Sequence, residues 1–159
     1  MIVKEEKKMN IKVVCSKKMK RSTIVAQGVA DALQVDCLDM EELVNITDTD
    51  LLFIVGGGES SSENKSGIEG FVKKIGHNKV KNAAIITLDS NWDNTSVASV
   101  NNIGGGQVLL KKILAEKEIP VLGEHMCECQ FKIFLIGHPN KKDVTKSVEW
   151  AQSIIKICK

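Results

Sequence analysis

The sequence predicts a single α/β domain with a doubly wound, five-stranded parallel sheet, in three layers because helices cover both faces. Two observations carry this prediction. Segments with the apolar content of strands alternate along the chain with segments that have the spacing of amphipathic helices. The clearest strand segments are continuous apolar runs, which is typical of strands buried on both faces of a parallel sheet.

Five segments have the composition of strands. The first is β-branched and short, the third and fourth are the most apolar, and the fifth has a proline as its second residue. In order they are Ile11–Cys15, Val35–Leu38, Asp50–Gly58, Lys81–Leu88 and a strand that starts with Ile119–Glu124. Phe131–Ile136 is predicted as the continuation of the fifth strand across an insertion, or as a strand beside it.

Four segments have helical spacing. The first helix begins near Ser22, and its apolar residues recur at helical spacing: Val25, Val29, Ala32 and Leu33. The next two are Ile68–Ile75 and Val108–Ala115. Asp143 is predicted to N-cap the last helix. The apolar residues of that helix are Val144, Val148, Trp150, Ala151, Ile154 and Ile155.

Length and composition bound the class of protein. The chain has 159 residues and is 43% hydrophobic, enough for a true core. Residues 1–10 are predicted to be a charged N-terminal extension, and residues 11–159 a single domain. No apolar run approaches the roughly 20 residues that cross a bilayer, and the charged start is unlike a secretory signal. We therefore expect a cytoplasmic protein that does not associate with membranes.

Several function classes find no support. The net charge is only +2 and aromatic residues make up 4%, which disfavours nucleic-acid binding. The sequence contains no Gly-x-Ser-x-Gly nucleophile elbow. A dinucleotide fingerprint and a Walker phosphate loop are also missing, because the first strand–helix turn has no glycine.

Three polar loops follow predicted strands and therefore meet at one edge of a parallel sheet, where ligands of such folds bind. They are Ser16–Ser22, Gly56–Lys65 and Asp89–Gly106. The first loop carries four cations and leads into a helix N-terminus, an arrangement that suits a phosphate group. The same cations are equally consistent with a solvated basic loop. Its cations are Lys17, Lys18, Lys20 and Arg21.

Two segments carry a resemblance to a known family. Val14–Ala26 lies where flavodoxins have a strand, a hydroxyl- and glycine-containing phosphate loop and a helix. Val121–Phe131 and Gly137–Asn140, followed by Asp143, resemble the closing segment of clostridial-type flavodoxin-family proteins. The resemblance implies a flavodoxin-like fold, non-covalently bound FMN, and electron transfer to redox partner proteins.

The resemblance also assigns residues to the cofactor. The phosphate would be held by Ser16, Lys17, Lys18, Met19, Lys20, Arg21 and Ser22. The isoalloxazine ring would lie between Gly56, Gly57 and Gly58 on one side and Asp89, Ser90, Asn91 and Trp92 on the other.

The chain departs from the family pattern in these loops. Lys20 stands where the family has glycine, and the second loop has no aromatic residue, so Trp92 either stacks on a flavin or packs its loop onto the domain. The alternative function is a flavin-free domain of the same fold that binds a protein or another small anion.

The five cysteines are expected to be reduced thiols. His125, Cys127 and Cys129 lie within five residues and offer soft donors, so a metal or thiol site there is a third reading beside ordinary free thiols. Cys15 and Cys37 fall in predicted strands and are expected to lie in the core.

Overall fold

The structure, a computed structural model, describes residues 8–17, 20–42, 46–56, 70–76, 78–90, 110–129 and 141–158. Strands and helices alternate through most of these ranges. The strands are β1 (Ile11–Cys15), β2 (Cys37–Asp39), β3 (Leu51–Val55), β4 (Ala83–Ser90) and β5 (Val121–Cys129). The helices are α1 (Lys20–Leu33), α2 (residues 70–73 described), α3 (residues 110–116 described) and α4 (Lys141–Cys158).

All five strands are parallel, in the order β2-β1-β3-β4-β5. This confirms the predicted five-stranded, doubly wound sheet and its flavodoxin-like topology. β3 lies at the centre of the sheet, and all five of its residues are buried, which explains its uninterrupted apolar sequence.

Side chains alternate along the strands into two apolar layers. Phe53 and Val55 of β3 lie in the layer that packs against α1 and α4, whereas Leu52 and Ile54 face the opposite layer. That second layer contains Phe71 of α2 with the buried residues of α3. Helices on both faces of one sheet make the three-layer architecture that the sequence predicted.

α1 shows how the sequence sets a helix. Val25 and Val29 are completely buried, one turn apart, on its sheet-facing side. The helix ends where Gln34 takes a left-handed φ of 58° and the N–H of Val35 donates to the carbonyl of Ala30 at 2.9 Å. Because this motif uses Val35 as part of the helix end, β2 starts at Cys37 rather than at the predicted Val35.

Other predicted boundaries also need correction. α1 begins at Lys20, not near Ser22, since lysine and arginine are good helix formers and extend the first turn. β4 continues through Asp89 and Ser90, which were predicted to open a loop; they pair with Glu128 and Cys129 of β5. Backbone pairing to a neighbouring strand does not depend on an apolar side chain.

Two corrections concern the end of the chain. Residues 125–129 are not an insertion: they are the second half of β5 and continue its pairing with β4. Asp143 does not N-cap α4, because the helix starts at Lys141 and Asp143 lies in its first turn, where a carboxylate favours the positive helix end. Phe131–Ile136 lies outside the described residues.

The described end of the predicted N-terminal extension is attached to the sheet. Met9 packs against the apolar layer under α1 and α4, and the Asn10 N–H donates to Asp50 Oδ2 at 2.7 Å. Among the helices that the structure describes, none has the length and apolarity needed to span a membrane.

Candidate functional site

The carboxyl ends of β1 and β3 lie side by side, because Cys15 pairs with Val55. Val55 pairs with Ile86, and β4 continues from there along β5 to Ser90, beyond the same edge. The predicted ligand loops therefore leave the sheet from one edge, the expected position for a ligand in this topology. β2 and β3 lie on opposite sides of β1. The chain therefore goes from β1 to β2 on one side, and then crosses to the other side of β1 to form β3.

Gly56 is the first residue after β3 and adopts a φ of 134°. Its N–H donates to the carbonyl of Ile86 at 2.9 Å, which fixes that backbone conformation. Side-chain-bearing residues rarely adopt this region, so the second loop starts with a bend that requires glycine. Gly57 and Gly58 lie outside the described residues.

The first loop is attached to acidic residues at the end of β2. The Ser16 hydroxyl donates to Glu41 Oε1 at 3.1 Å, and the Lys17 N–H lies 3.4 Å from Asp39 Oδ1. The same Asp39 oxygen also accepts the N–H of Glu41 at 3.2 Å. Two donors that were assigned to a phosphate are thus directed at carboxylates, a feature that the sequence analysis did not anticipate.

The remaining residues of the predicted phosphate loop divide between α1 and an undescribed segment. Lys20, Arg21 and Ser22 form the first turn of α1; Lys20 is exposed, whereas Ser22 is buried. The helix is joined to the loop by Thr23, whose hydroxyl donates to the Ser16 carbonyl at 3.4 Å. Lys18 and Met19 lie outside the described residues.

Of the third predicted loop, the structure describes only the first two residues. Asp89 and Ser90 are the last residues of β4, at the ligand edge, and their backbone pairs with β5. Asn91 and Trp92 lie outside the described residues, so the stacking role assigned to Trp92 stays a prediction.

Two cysteines meet beside the first loop. Cys15 ends β1, Cys37 begins the neighbouring β2, and their sulfur atoms are 3.6 Å apart. Cys15 is completely buried, whereas Cys37 is half-buried. Both cysteines were expected in the core, but their contact was not predicted, because it depends on the parallel pairing of β1 with β2.

The contact shifts the pKa values of the two thiols in opposite directions. The hydrogen bond between the two sulfur atoms, together with burial, raises the pKa of Cys15. The same bond, assisted by the positive charge of Lys17, lowers the pKa of Cys37. Cys37 is therefore the thiol of the pair that loses its proton first.

The predicted sulfur-rich segment of β5 has a different environment. The His125 ring stacks on Trp150 of α4 with centroids 5.3 Å apart and an interplanar angle of 23°. The buried Cys127 thiol lies 3.9 Å from the Asp143 carbonyl. Within the described ranges, no three His, Cys, Asp or Glu residues are grouped closely enough to hold a metal ion.

A polar groove of about 700 Å³ lies at the opposite, amino edge of the sheet, where Asn10, Thr49 and Lys81 contribute to its lining. Two of its charged groups contact each other, and a neighbouring lysine contacts one of its polar groups. Lys81 forms an ion pair with Asp50 at 3.2 Å, and Lys12 donates to Thr49 at 2.9 Å. These contacts join β1, β3 and the turn before β4, so the groove is explained by the packing of the strand starts.

Comparison with protein-family models gives no match to this chain, and comparison with curated proteins gives none either.

Proposed function

We propose that this protein binds FMN non-covalently at the carboxyl edge of its sheet and acts as an electron carrier. The observation that carries the proposal is the strand order β2-β1-β3-β4-β5, together with chain loops that leave β1, β3 and β4 at one edge. Flavodoxin-like sheets with this order bind FMN at the junction of β1 and β3. The cofactor would supply the redox chemistry, and the chain would bind and orient it.

Two local features support a phosphate near the first loop. Lys17 and Lys20 are exposed cations on either side of the turn into α1. The N-terminus of α1 adds the positive end of the helix dipole. A phosphate dianion would gain charge-assisted hydrogen bonds from this set.

Gly56 supports the ring position. Its positive φ allows the backbone after β3 to turn next to the β1 loop without a side chain in the way. In this proposal, Asp89, Ser90, Asn91 and Trp92 border the ring from the β4 side.

A second candidate function is a flavin-free domain of the same fold that binds a protein or another small anion. The contacts of Ser16 with Glu41 and of Lys17 with Asp39 favour it, because the carboxylates occupy donors that a phosphate would use. The negative charges of Glu41 and Asp39 beside this loop also disfavour the binding of a phosphate dianion there.

The test is a titration of the purified full-length protein with FMN and, in parallel, with riboflavin, which lacks the phosphate. We expect saturable quenching of FMN fluorescence at micromolar concentrations and much weaker binding of riboflavin. Absence of FMN binding at high micromolar concentration would contradict the carrier and leave the flavin-free domain as the better account.

Variants separate the two candidates further. Arg21→Ala should weaken FMN binding about tenfold or more if it contacts the phosphate, since a hydrogen bond to a charged group contributes about 1.5–3 kcal/mol. Lys73→Ala removes an exposed cation from α2 and is the matched control. Glu41→Gln should strengthen FMN binding, because it removes a negative charge beside the Ser16 hydroxyl.

A further inference from the structure

We propose that Cys15 and Cys37 form a reversible redox site, which is oxidised to a disulfide by low-molecular-weight disulfides. The contact of the two sulfur atoms at 3.6 Å across neighbouring strands carries this inference. The site does not depend on flavin binding, because both cysteines belong to the sheet itself.

The geometry favours closure of the bond. β1 and β2 are hydrogen-bonded neighbours, with Val13 opposite Cys37 and Cys15 opposite Asp39. The two thiols are thus offset by two residues on one face of the sheet. A disulfide has its sulfurs about 2.05 Å apart, so the two sulfurs need to approach by about 1.5 Å. Because diagonal neighbours have Cα atoms about 7–8 Å apart, β2 also has to shift along β1 for the bond to close. β2 has three residues and lies at the sheet edge, where a small displacement meets little resistance.

The two thiols differ in ways that suit two successive steps. Cys37 is half-buried and shares a hydrogen bond with Cys15, which favours the Cys37 thiolate. Cys15 is completely buried, so an external disulfide cannot reach it first. Attack therefore begins at Cys37, and Cys15 resolves the product from a position that it already occupies.

The chemistry balances with a small disulfide as the oxidant. In the first step the Cys37 thiolate attacks one sulfur of the external disulfide, forms a mixed disulfide and releases one thiolate. In the second step Cys15 gives up its proton to that released thiolate or to water. Its sulfur then attacks the Cys37 sulfur and expels the second thiolate. Two protein thiols lose two electrons in total, and one external disulfide becomes two thiols.

Other described cysteines are poorer candidates. Cys127 is buried, and its thiol lies 3.9 Å from the Asp143 carbonyl. Cys158 is half-buried, and its sulfur accepts a hydrogen bond from Asn82 at 3.6 Å. Burial raises the pKa of Cys158, so Cys158 forms the thiolate needed for the first attack less readily than Cys37 does.

Oxidation would act on the ligand edge. Asp39 and Glu41 follow Cys37 and contact Lys17 and Ser16, which follow Cys15. A covalent bond between Cys15 and Cys37 would therefore hold the first loop and the end of β2 in one arrangement. Loss of the bond would allow them to separate.

The experiment incubates the full-length protein in buffers with increasing ratios of oxidised to reduced glutathione, then alkylates free thiols and analyses tryptic peptides. Cleavage after Lys12, Lys17, Arg21 and Lys65 places Cys15 in residues 13–17 and Cys37 in residues 22–65. We expect these two peptides to be joined in the oxidised sample, and the joined form to disappear on return to reduced glutathione.

Variants test whether Cys15 attacks the mixed disulfide at Cys37 or only lies next to it. Cys15→Ala should accumulate a lasting mixed disulfide at Cys37, whereas Cys37→Ala should leave Cys15 unmodified. Cys158→Ala is the matched control and should form the Cys15–Cys37 bond as the unaltered chain does. Cys15→Ser gives a second resolving-thiol variant that keeps a hydrogen-bond donor should alanine impair folding, as judged by circular dichroism.

Specific outcomes overturn the proposal. Free alkylation of both cysteines at every glutathione ratio would do so, as would oxidation that joins Cys37 to another cysteine. Modification of Cys15 in the Cys37→Ala variant at the rate seen in the unfolded chain would also contradict the assigned order of attack. A thermal midpoint that rises on oxidation of the unaltered chain, and not of Cys37→Ala, would support the bond independently.

Discussion

Two sulfur-containing regions lie on the same face of the sheet, and they differ in how far apart in sequence their residues are and in what their side chains contact. His125 and Cys127 are neighbours in sequence on β5, yet one stacks on Trp150 and the other faces a backbone carbonyl. Cys15 and Cys37 are 22 positions apart, and parallel pairing of β1 with β2 brings their sulfurs together. The neighbours in sequence, His125 and Cys127, thus pack against different groups. The two cysteines that are distant in sequence, Cys15 and Cys37, contact each other and form the proposed redox pair.

The difference follows from what covers each strand. α4 lies over β5, and Trp150 also contacts Phe53 edge-on with ring centroids 6.3 Å apart. A Cβ on Gly123 would lie 2.9 Å from Ile154, so the helix approaches β5 closely. β2 is short and its residues are only partly buried, which leaves Cys37 accessible. The same type of side chain is thus inert under a helix and reactive at an open edge.

The largest expected effect tests the packed region. Trp150→Ala should lower the free energy of unfolding by about 3 kcal/mol, because it removes an aromatic ring between His125 and Phe53. Chemical denaturation followed by circular dichroism measures this change. Ile157→Ala, at a residue of the same helix that is 66% exposed, is the control and should change little.

The same Trp150→Ala variant sharpens the comparison of the two regions. Under native conditions it should still form the Cys15–Cys37 disulfide, since Trp150 makes no ring contact with either cysteine in the described structure. Loss of disulfide formation in a folded Trp150→Ala protein would show that the two regions are not independent.

A smaller effect is expected at the contact between α1 and α4, which connects the helices of the two regions. A Cβ on Gly28 would overlap Val144 Cγ1, so Gly28→Ala should lower the free energy of unfolding by about 1–3 kcal/mol. Removing the opposing methyl groups in Gly28→Ala/Val144→Ala should recover part of the loss. Gly70→Ala meets no atom within 4 Å and is the control.

The smallest effect concerns the reactive pair alone. Because the Cys15 hydrogen bond lowers the pKa of Cys37, Cys37 stays a thiolate to lower pH than in the unfolded chain. Its alkylation rate by iodoacetamide should therefore reach half-maximum at a lower pH when the protein is folded.

Variants at position 15 test the cause of that shift. Cys15→Ala removes the hydrogen bond and should move the Cys37 midpoint to higher pH, while Cys15→Ser should retain part of the effect. A midpoint that stays the same in Cys15→Ala would assign the lowered pKa to Lys17 instead.

Much of the architecture was predictable because it depends on local patterns. The apolar run of β3 and the helical spacing in α1 each specify burial without reference to distant residues. Element ends were less predictable, as at Asp89 and Asp143, because they depend on pairing and on where a helix takes its first hydrogen bonds.

For the candidate site, the sequence located the loop edge but not its contacts. It assigned Ser16 and Lys17 to a phosphate, while the structure directs both at carboxylates from β2. Asp39 and Glu41 carried no motif of their own, so nothing in their spacing indicated this role. The ring-binding roles of Gly57, Gly58, Asn91 and Trp92 remain predictions.

The sequence by itself determined the elements, their order and the edge at which the loops after β1, β3 and β4 would meet, since periodicity and alternation are properties of short segments. Only the tertiary structure decided which side chains touch across that edge. Strand register sets those contacts, and a register is chosen by the whole sheet as it buries β3. The Cys15–Cys37 pair exists for that reason.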